Sequence, residues 1–232
     1  MTTILHIETA TKVCSVALSV DGELKQLQEL KDDGYAHGEQ LTILIQQVLD
    51  LQGITSGMLS AVSVSAGPGS YTGLRIGVST AKGLCYALGI PLIAVNTLKS
   101  MAAIGKMKYP DLNLCPMIDA RRMEVYATFF DRSLNVVRET SADIVDENSY
   151  LDLLNKQKIA FFGNGASKCR SVITHPNARF IEEIHPLASG MVPLAEAAFR
   201  DRRFEDAAYF EPFYLKEFVA TIPRNKVIDL KK

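Results

Sequence analysis

The chain has 232 residues, of which 47% are hydrophobic and 22% charged, with 25 Lys and Arg against 26 Asp and Glu. This is the composition of a globular protein with one large or two small domains. A net charge of −1 gives no sign of a surface built for nucleic acid or membrane. The opening MTTILHIETATKV lacks a basic region followed by a long apolar core. No apolar run approaches the roughly eighteen residues of a membrane span, so a cytoplasmic protein is expected.

Two strands joined by a polar turn are expected first. Ile4, Leu5 and Ile7 lead in, Glu8 to Lys12 form the turn, and Val13, Cys14, Val16, Ala17 and Leu18 lead out. Asp21-Gly22 signals a hairpin to a third strand, Leu24 to Leu30. From Glu39 to Leu51, apolar residues recur at helical spacing (Leu41, Leu44, Ile45, Val48, Leu49), and Gly53 is a natural stop. A strand over Met58 to Ala66 then enters the glycine-rich stretch SAGPGSYTGLRIG, Ser65 to Gly77. A helix is predicted over Thr72 to Leu88, a strand over Leu92 to Val95 and a short helix over Leu98 to Ile104. Strands alternating with helices imply a partly parallel sheet covered on its faces.

A polar break, Gly105 to Asn113, marks the expected boundary between lobes 1–106 and 107–232. The pattern then restarts: Ile118-Asp119-Ala120-Arg121-Arg122-Met123-Glu124 parallels Ile7 to Val13. Strands over Val125 to Phe130 and Leu134 to Val137 follow. Next come a helical stretch, Ser149 to Leu154, a strand, Ile159 to Phe162, and a second glycine corner, Gly163-Asn164-Gly165. Two related lobes are therefore expected, with acidic strand ends facing a shared cleft. Val192 to Phe199 reads as a helix and Phe210 to Lys216 as an extended aromatic segment. The basic Lys226, Lys231 and Lys232 read as a solvated tail.

The glycine corner matches neither G-x-G-x-x-G nor a P-loop, since Gly73 comes one residue late and the nearest lysine is Lys82. A tight structural turn and an anion cradle at a helix N-terminus, with Thr72 as cap, both remain open. The following helix places Leu74, Val78, Ala81, Cys85 and Leu88 on one apolar face. Its other face carries Gly73, Ile76, Gly77, Thr80, Gly83 and Leu84. Interior helical glycine costs about 1 kcal/mol relative to alanine, so close approach by another backbone is expected there. The neighbour is either the preceding helix or a partner protein.

Chemistry-bearing residues are sparse. His6, His37, His175 and His185 include no pair at H-x-x-x-H spacing. His6 reads as buried and neutral, and His37 as a surface or capping residue. Cys14, Cys85, Cys115 and Cys169 form no C-x-x-C and read as buried, reduced thiols. Glu8 and Asp119, at equivalent strand ends, either serve a metal-dependent nucleotide site or hydrogen-bond their own turns. Arg121, Arg122 and Glu124 read as partly structural ion pairs.

Several runs together resemble the bacterial TsaB (YeaZ-type) family. They are ETATKVCSVAL, SAGPGSYTGLRIG with AKGLCYALGIPLIAVNTL, IDARRMEVYATFF, the GNGA of Gly163 to Ala166, and YFEPFYLK. Glu8 stands where that family usually has aspartate. The resemblance implies an α/β, actin-like and hexokinase-like (ASKHA) fold of two ribonuclease-H-like lobes. It implies a non-catalytic scaffold subunit in making threonylcarbamoyladenosine beside the anticodon of tRNA. That subunit has no catalytic residues and no metal or cofactor of its own, ATP and metal being held by its partners. Those partners are a TsaD-type paralogue and a TsaE-type ATPase, with a homodimer when alone and tRNA reached through the complex.

On this reading Glu8, Gly67, Gly69, Ser70, Thr72 and Asp119 are a vestigial nucleotide or anion site. Leu41, Ile45, Val48, Gly73, Ile76, Gly77, Thr80, Gly83 and Leu84 form the partner interface. Leucine at Gly77 or Gly83 is expected to spare the fold and weaken partner binding. The competing readings are an ATP-dependent kinase or transferase, or a metallopeptidase-like enzyme, of the same fold.

Overall fold

A computed structural model describes residues 1–31 and 37–215, apart from the His37 side chain. The expected roles of His37, and of Lys216, Lys226, Lys231 and Lys232, lie outside the described residues. Two five-stranded sheets organise the chain. The first contains β1 (Thr3–Glu8), β2 (Val13–Val20), β3 (Glu23–Lys31), β4 (Ala61–Gly67) and β5 (Leu92–Asn96), in the order β3-β2-β1-β4-β5. The second contains β6 (Asn113–Asp119), β7 (Glu124–Phe130), β8 (Val136–Ile144), β9 (Ile159–Phe162) and β10 (Ala178–Ile181), in the order β10-β9-β6-β7-β8. Read from the other edge, the second order is the first repeated. Each sheet is an antiparallel three-strand meander with two parallel strands added beside its first strand. The weak internal similarity of the sequence is thus a duplicated topology.

Helices α1 (His37–Leu51), α2 (Tyr71–Leu88) and α3 (Thr97–Lys108) belong to the first half, and α4 (Leu151–Leu154), α5 (Ala166–Cys169) and α6 (Val192–Arg200) to the second. The α1 residues Leu41, Leu44, Ile45, Val48 and Leu49 pack with Leu5, Ile7, Val16, Val62 and Val64 of the sheet. Leu74, Val78, Ala81 and Cys85 are the buried apolar face of α2, as their spacing predicts. At the start of α2 the cap is Ser70, not Thr72. The Ser70 backbone is extended and its hydroxyl accepts the Gly73 N–H at 3.2 Å, which satisfies one of the helix's free donors. Gly89 ends α2 with φ +66°, and its N–H donates to the Cys85 carbonyl.

The α3 helix runs through much of the stretch expected to be a break. It packs Leu98, Met101, Ala102 and Ile104 among Leu114, Phe130 and Phe162 of the second sheet. β10 and α5 carry too little periodicity to be seen in the sequence, and β8 reaches seven residues beyond its predicted end at Val137. After β10 the chain returns to the first sheet. Ala188, Met191, Ala195 and Ala198 pack on Ile4, Ala17, Ala61 and Ile93, and the Ala188 N–H donates to the Ser15 hydroxyl at 2.9 Å. A final strap follows. Glu205 N–H bonds the Leu92 carbonyl, Phe213 N–H bonds the Ala66 carbonyl at 2.7 Å, and Lys82 Nζ reaches the Ala208 and Phe210 carbonyls at 3.1 Å each. No helix among the described residues is long and apolar enough to cross a membrane.

Candidate functional site

The glycine corner joins β4 to α2, and its glycines face protein. A Cβ on Gly67, whose φ is +101°, would stand 2.7 Å from the Phe213 carbonyl oxygen. One on Gly69 would meet the Ala10 carbonyl oxygen and lie 2.6 Å from the Ala10 Cβ. One on Gly73 would strike the Thr9 carbonyl oxygen, and one on Gly77 the Thr9 hydroxyl. The Ser70 N–H donates to the Ala10 carbonyl at 2.6 Å. The β1–β2 turn is therefore seated directly on the corner and the first two turns of α2. The backbone of Thr9 and Ala10 thus lies against Gly69 and Gly73 at the helix start.

This corrects the expected role of Gly73 and Gly77. They admit Thr9 from within the chain and are buried, so they present no surface to a partner. Leu41, Ile45 and Val48 are also core residues, at most 7% exposed. Ile76, Thr80 and Leu84 are partly exposed and Gly83 is exposed. A Cβ on Gly83 would meet nothing within 4 Å among the described residues. Of the predicted interface, Gly83 is exposed and Thr80 partly so, while Ile76 and Leu84, partly exposed, also pack against the first-sheet core; Ile43 on α1 and Tyr86 on α2 are exposed as well.

Glu8 and Asp119 occupy matching places but different environments. Glu8 is fully buried. Its Oε1 accepts the Ala10 N–H at 2.7 Å, and its Oε2 has no hydrogen-bond partner among the described residues. Burial pushes its pKa up to about 7, against the opposing effects of the Ala10 amide, the Ser65 hydroxyl and the Thr9 amide. Asp119 is exposed. Its Oδ1 accepts the Arg121 N–H at 2.9 Å and pairs with the Lys168 ammonium, which also donates to the Glu124 carbonyl at 2.7 Å. The Asp119 N–H is held by the Asn164 side chain at 3.0 Å. The partners of each acid come from its own lobe. Lys168, which neutralises Asp119, was missed in the sequence; a lysine four residues beyond the Gly163-Asn164 corner was the available signal.

The other expectations resolve as follows. His6 is fully buried between the Ser63 and Ser19 hydroxyls, at 2.7 and 2.8 Å, and burial lowers its pKa to about 3. All four cysteines are free and buried, and burial raises the Cys14 and Cys85 thiols to about 11. Arg121 and Arg122 do not form the expected ion pairs: neither side chain has a hydrogen bond or ion pair among the described residues. Glu124 does have a partner. Beside the second glycine corner lies a cavity of about 360 Å³, lined by Asn164, Ser167, Arg170, Phe180, Glu182 and His185 among others. Among the described residues, no group of three or more His, Cys, Asp or Glu side chains is placed to hold a metal ion.

Two predictions follow from this packing. Gly73→Ala must displace the Thr9 backbone and is expected to cost about 1–3 kcal/mol. Gly83→Ala meets open space in a helix and is expected to stabilise the chain by about 0.5–1 kcal/mol. Urea denaturation of both variants checks the pair. The second concerns pH. Folded Glu8 holds its proton up to about pH 7, while the unfolded chain releases it near the ordinary value of 4.5. Its contribution is thus fully present below the unfolded pKa and is lost as pH rises through about 7, a change of about 3 kcal/mol. His6 acts in the opposite direction, contributing stability above 6.5 that is lost as pH falls toward about 3. Glu8→Gln isolates the carboxyl: between pH 5 and pH 8 the variant should gain roughly 2–3 kcal/mol on the native chain. A constant difference would show that Glu8 does not titrate in that window.

The family model described as "TsaD: tRNA N6-adenosine threonylcarbamoyltransferase" matches residues 33–224. The Escherichia coli protein "tRNA threonylcarbamoyladenosine biosynthesis protein TsaB" is 31% identical over 94% of this chain and 96% of its own length. Among solved structures, YeaZ from Pseudomonas aeruginosa is 25% identical, with a TM-score of 0.81 over 93% of this chain and all of that one. The activator of 2-hydroxyisocaproyl-CoA dehydratase from Clostridium difficile shares the fold alone, at 11% identity and a TM-score of 0.51 over 87% of this chain and 96% of that one. The fold is the actin-like, hexokinase-like one expected from the sequence. Duplicated sheet order, glycine corner and relatives agree that the chain belongs to the TsaB (YeaZ-type) family, within the broader family that the TsaD model describes.

Proposed function

We propose that this chain works in the biosynthesis of threonylcarbamoyladenosine on tRNA as a non-catalytic scaffold that pairs with a TsaD-type catalytic subunit. One observation carries the non-catalytic part: the β1–β2 turn fills the glycine corner, with Ala10 against Gly69 and Thr9 against Gly73 and Gly77. Two charges that a nucleotide site would use are also committed. Glu8 favours its neutral form up to about pH 7, and Asp119 is paired with Lys168. These features favour a scaffold over a kinase, transferase or peptidase of the same fold.

The partner surface is the outer face of α1 and α2. Ile76, Thr80, Gly83 and Leu84 form it, with Ile43 alongside, and Leu41, Ile45 and Val48 support it from the core. Gly83 has no packing reason inside the chain, and an exposed helical glycine lets another helix approach closely. The same face joins two copies when the partner is missing, and a TsaE-type ATPase completes the assembly, which acts in the cytoplasm.

Light scattering of the chain, alone and with a TsaD-type protein, tests the pairing. A heterodimer that displaces a homodimer is expected, and Gly83→Leu should weaken it at least tenfold without lowering the unfolding free energy measured in urea. Reconstituted threonylcarbamoylation of tRNA should depend on the chain and survive Glu8→Gln and Asp119→Asn. Loss of turnover in both carboxylate variants, with association intact, would point to an enzyme instead.

A further inference from the structure

The β6–β7 turn places two arginines where neither helps the fold. Arg121 and Arg122 have φ of +72° and +50°, the only consecutive non-glycine pair with positive φ among the described residues. The turn is closed by Glu124 N–H to the Arg121 carbonyl at 3.1 Å and by Ala120 N–H to the Glu124 carbonyl at 3.0 Å. Arg122 takes its first central position, where a positive φ ordinarily calls for glycine. Both side chains are exposed, and neither bonds to any described residue. Beneath them the acids are already engaged: Asp119 holds Lys168 and the Arg121 N–H, and Glu124 has its own partner. The guanidinium charges are therefore left without a partner among the described residues, on a left-handed backbone that disfavours side chains of this size.

We propose that this hairpin tip binds the phosphate backbone of tRNA directly. The proposal rests on the reading of the chain as a tRNA-modification subunit, and adds a contact of its own to RNA otherwise reached through the complex. Two adjacent guanidiniums suit phosphate oxygens, which each can meet with paired N–H donors. Asp119–Lys168 and the Asn164 side chain hold the turn from below, so the tip is presented from a fixed base. It lies on the second sheet, whereas the partner face assigned above is on helices of the first. An overall charge of −1 does not oppose a local contact of this kind, because screening confines it to a short range.

Titration of a labelled tRNA transcript with the assembled heterodimer, across a salt series, tests this. Arg121→Ala/Arg122→Ala should weaken binding about tenfold and reduce the slope of log affinity against log salt by roughly 1.5–2, the loss of two phosphate contacts. Arg121→Lys/Arg122→Lys should keep most of the slope, and Arg132→Ala, an exposed arginine on the β7–β8 turn, should change nothing. Arg121→Gly/Arg122→Gly relieves the turn, so it should raise the melting temperature while binding RNA as weakly as the alanine pair. Native affinity and salt slope in the alanine and glycine pairs would overturn the proposal and leave the scaffold reading intact. Undisturbed RNA binding with weakened heterodimer association would overturn it too, by assigning the arginines to an acidic partner protein. Arginine-dependent RNA binding in a native complex that modifies no tRNA would uphold the contact and fault the functional reading.

Discussion

The contact of the β1–β2 turn with the glycine corner is the constraint on which the rest of the first lobe depends. Thr9 and Ala10 press on Gly69, Gly73 and Gly77 so closely that a single Cβ at any of the three would overlap them. That contact fixes the angle at which α2 leaves β4. The angle in turn lays Leu74, Val78, Ala81 and Cys85 on the sheet and turns Thr80 and Gly83 outward. The glycines give up helix propensity for this approach. Burial of Leu74, Val78 and their neighbours offsets that loss, at roughly 1.5–3 kcal/mol for each large side chain.

The second lobe repeats the device with different consequences. There the end of β6, rather than the turn, lies against Gly163 and Gly165: a Cβ on Gly165 would lie 2.8 Å from the Ile118 carbonyl carbon. Where the first turn buries a carboxyl that favours its neutral form, the second exposes Asp119 and pairs it with a lysine. One duplicated architecture thus yields an apolar, closed corner and a charged, solvent-facing one. The long α2 follows the first, and the four-residue α5 follows the second.

Much of this was legible in the sequence because periodicity reports burial. The apolar spacing of α1 and α2, the Asp21-Gly22 hairpin and the restart after residue 113 led to the observed elements and to the duplicated order. His6 and the four cysteines were readable because each lies in an apolar run. Local pattern is silent on what lies opposite a residue. Gly77 and Gly83 are indistinguishable in the sequence, yet one faces Thr9 and the other faces open space. Thr72 and Ser70 are both good capping chemistries, and only the backbone at Ser70 decides between them. Leu41, Ile45 and Val48 mark a helix face correctly, but their spacing cannot tell a core from an interface. Lys168 lies 49 residues from Asp119, beyond any local motif.

The glycine corner resembles a phosphate loop, yet the chain's own Thr9 and Ala10 press on Gly69, Gly73 and Gly77. Calorimetric titration of magnesium-ATP into the isolated chain tests most directly whether a nucleotide binds there. No saturable heat is expected at millimolar nucleotide. A saturable isotherm in the micromolar range, abolished by Asp119→Asn or by a side chain at Gly69, would contradict it and restore a nucleotide site between the lobes.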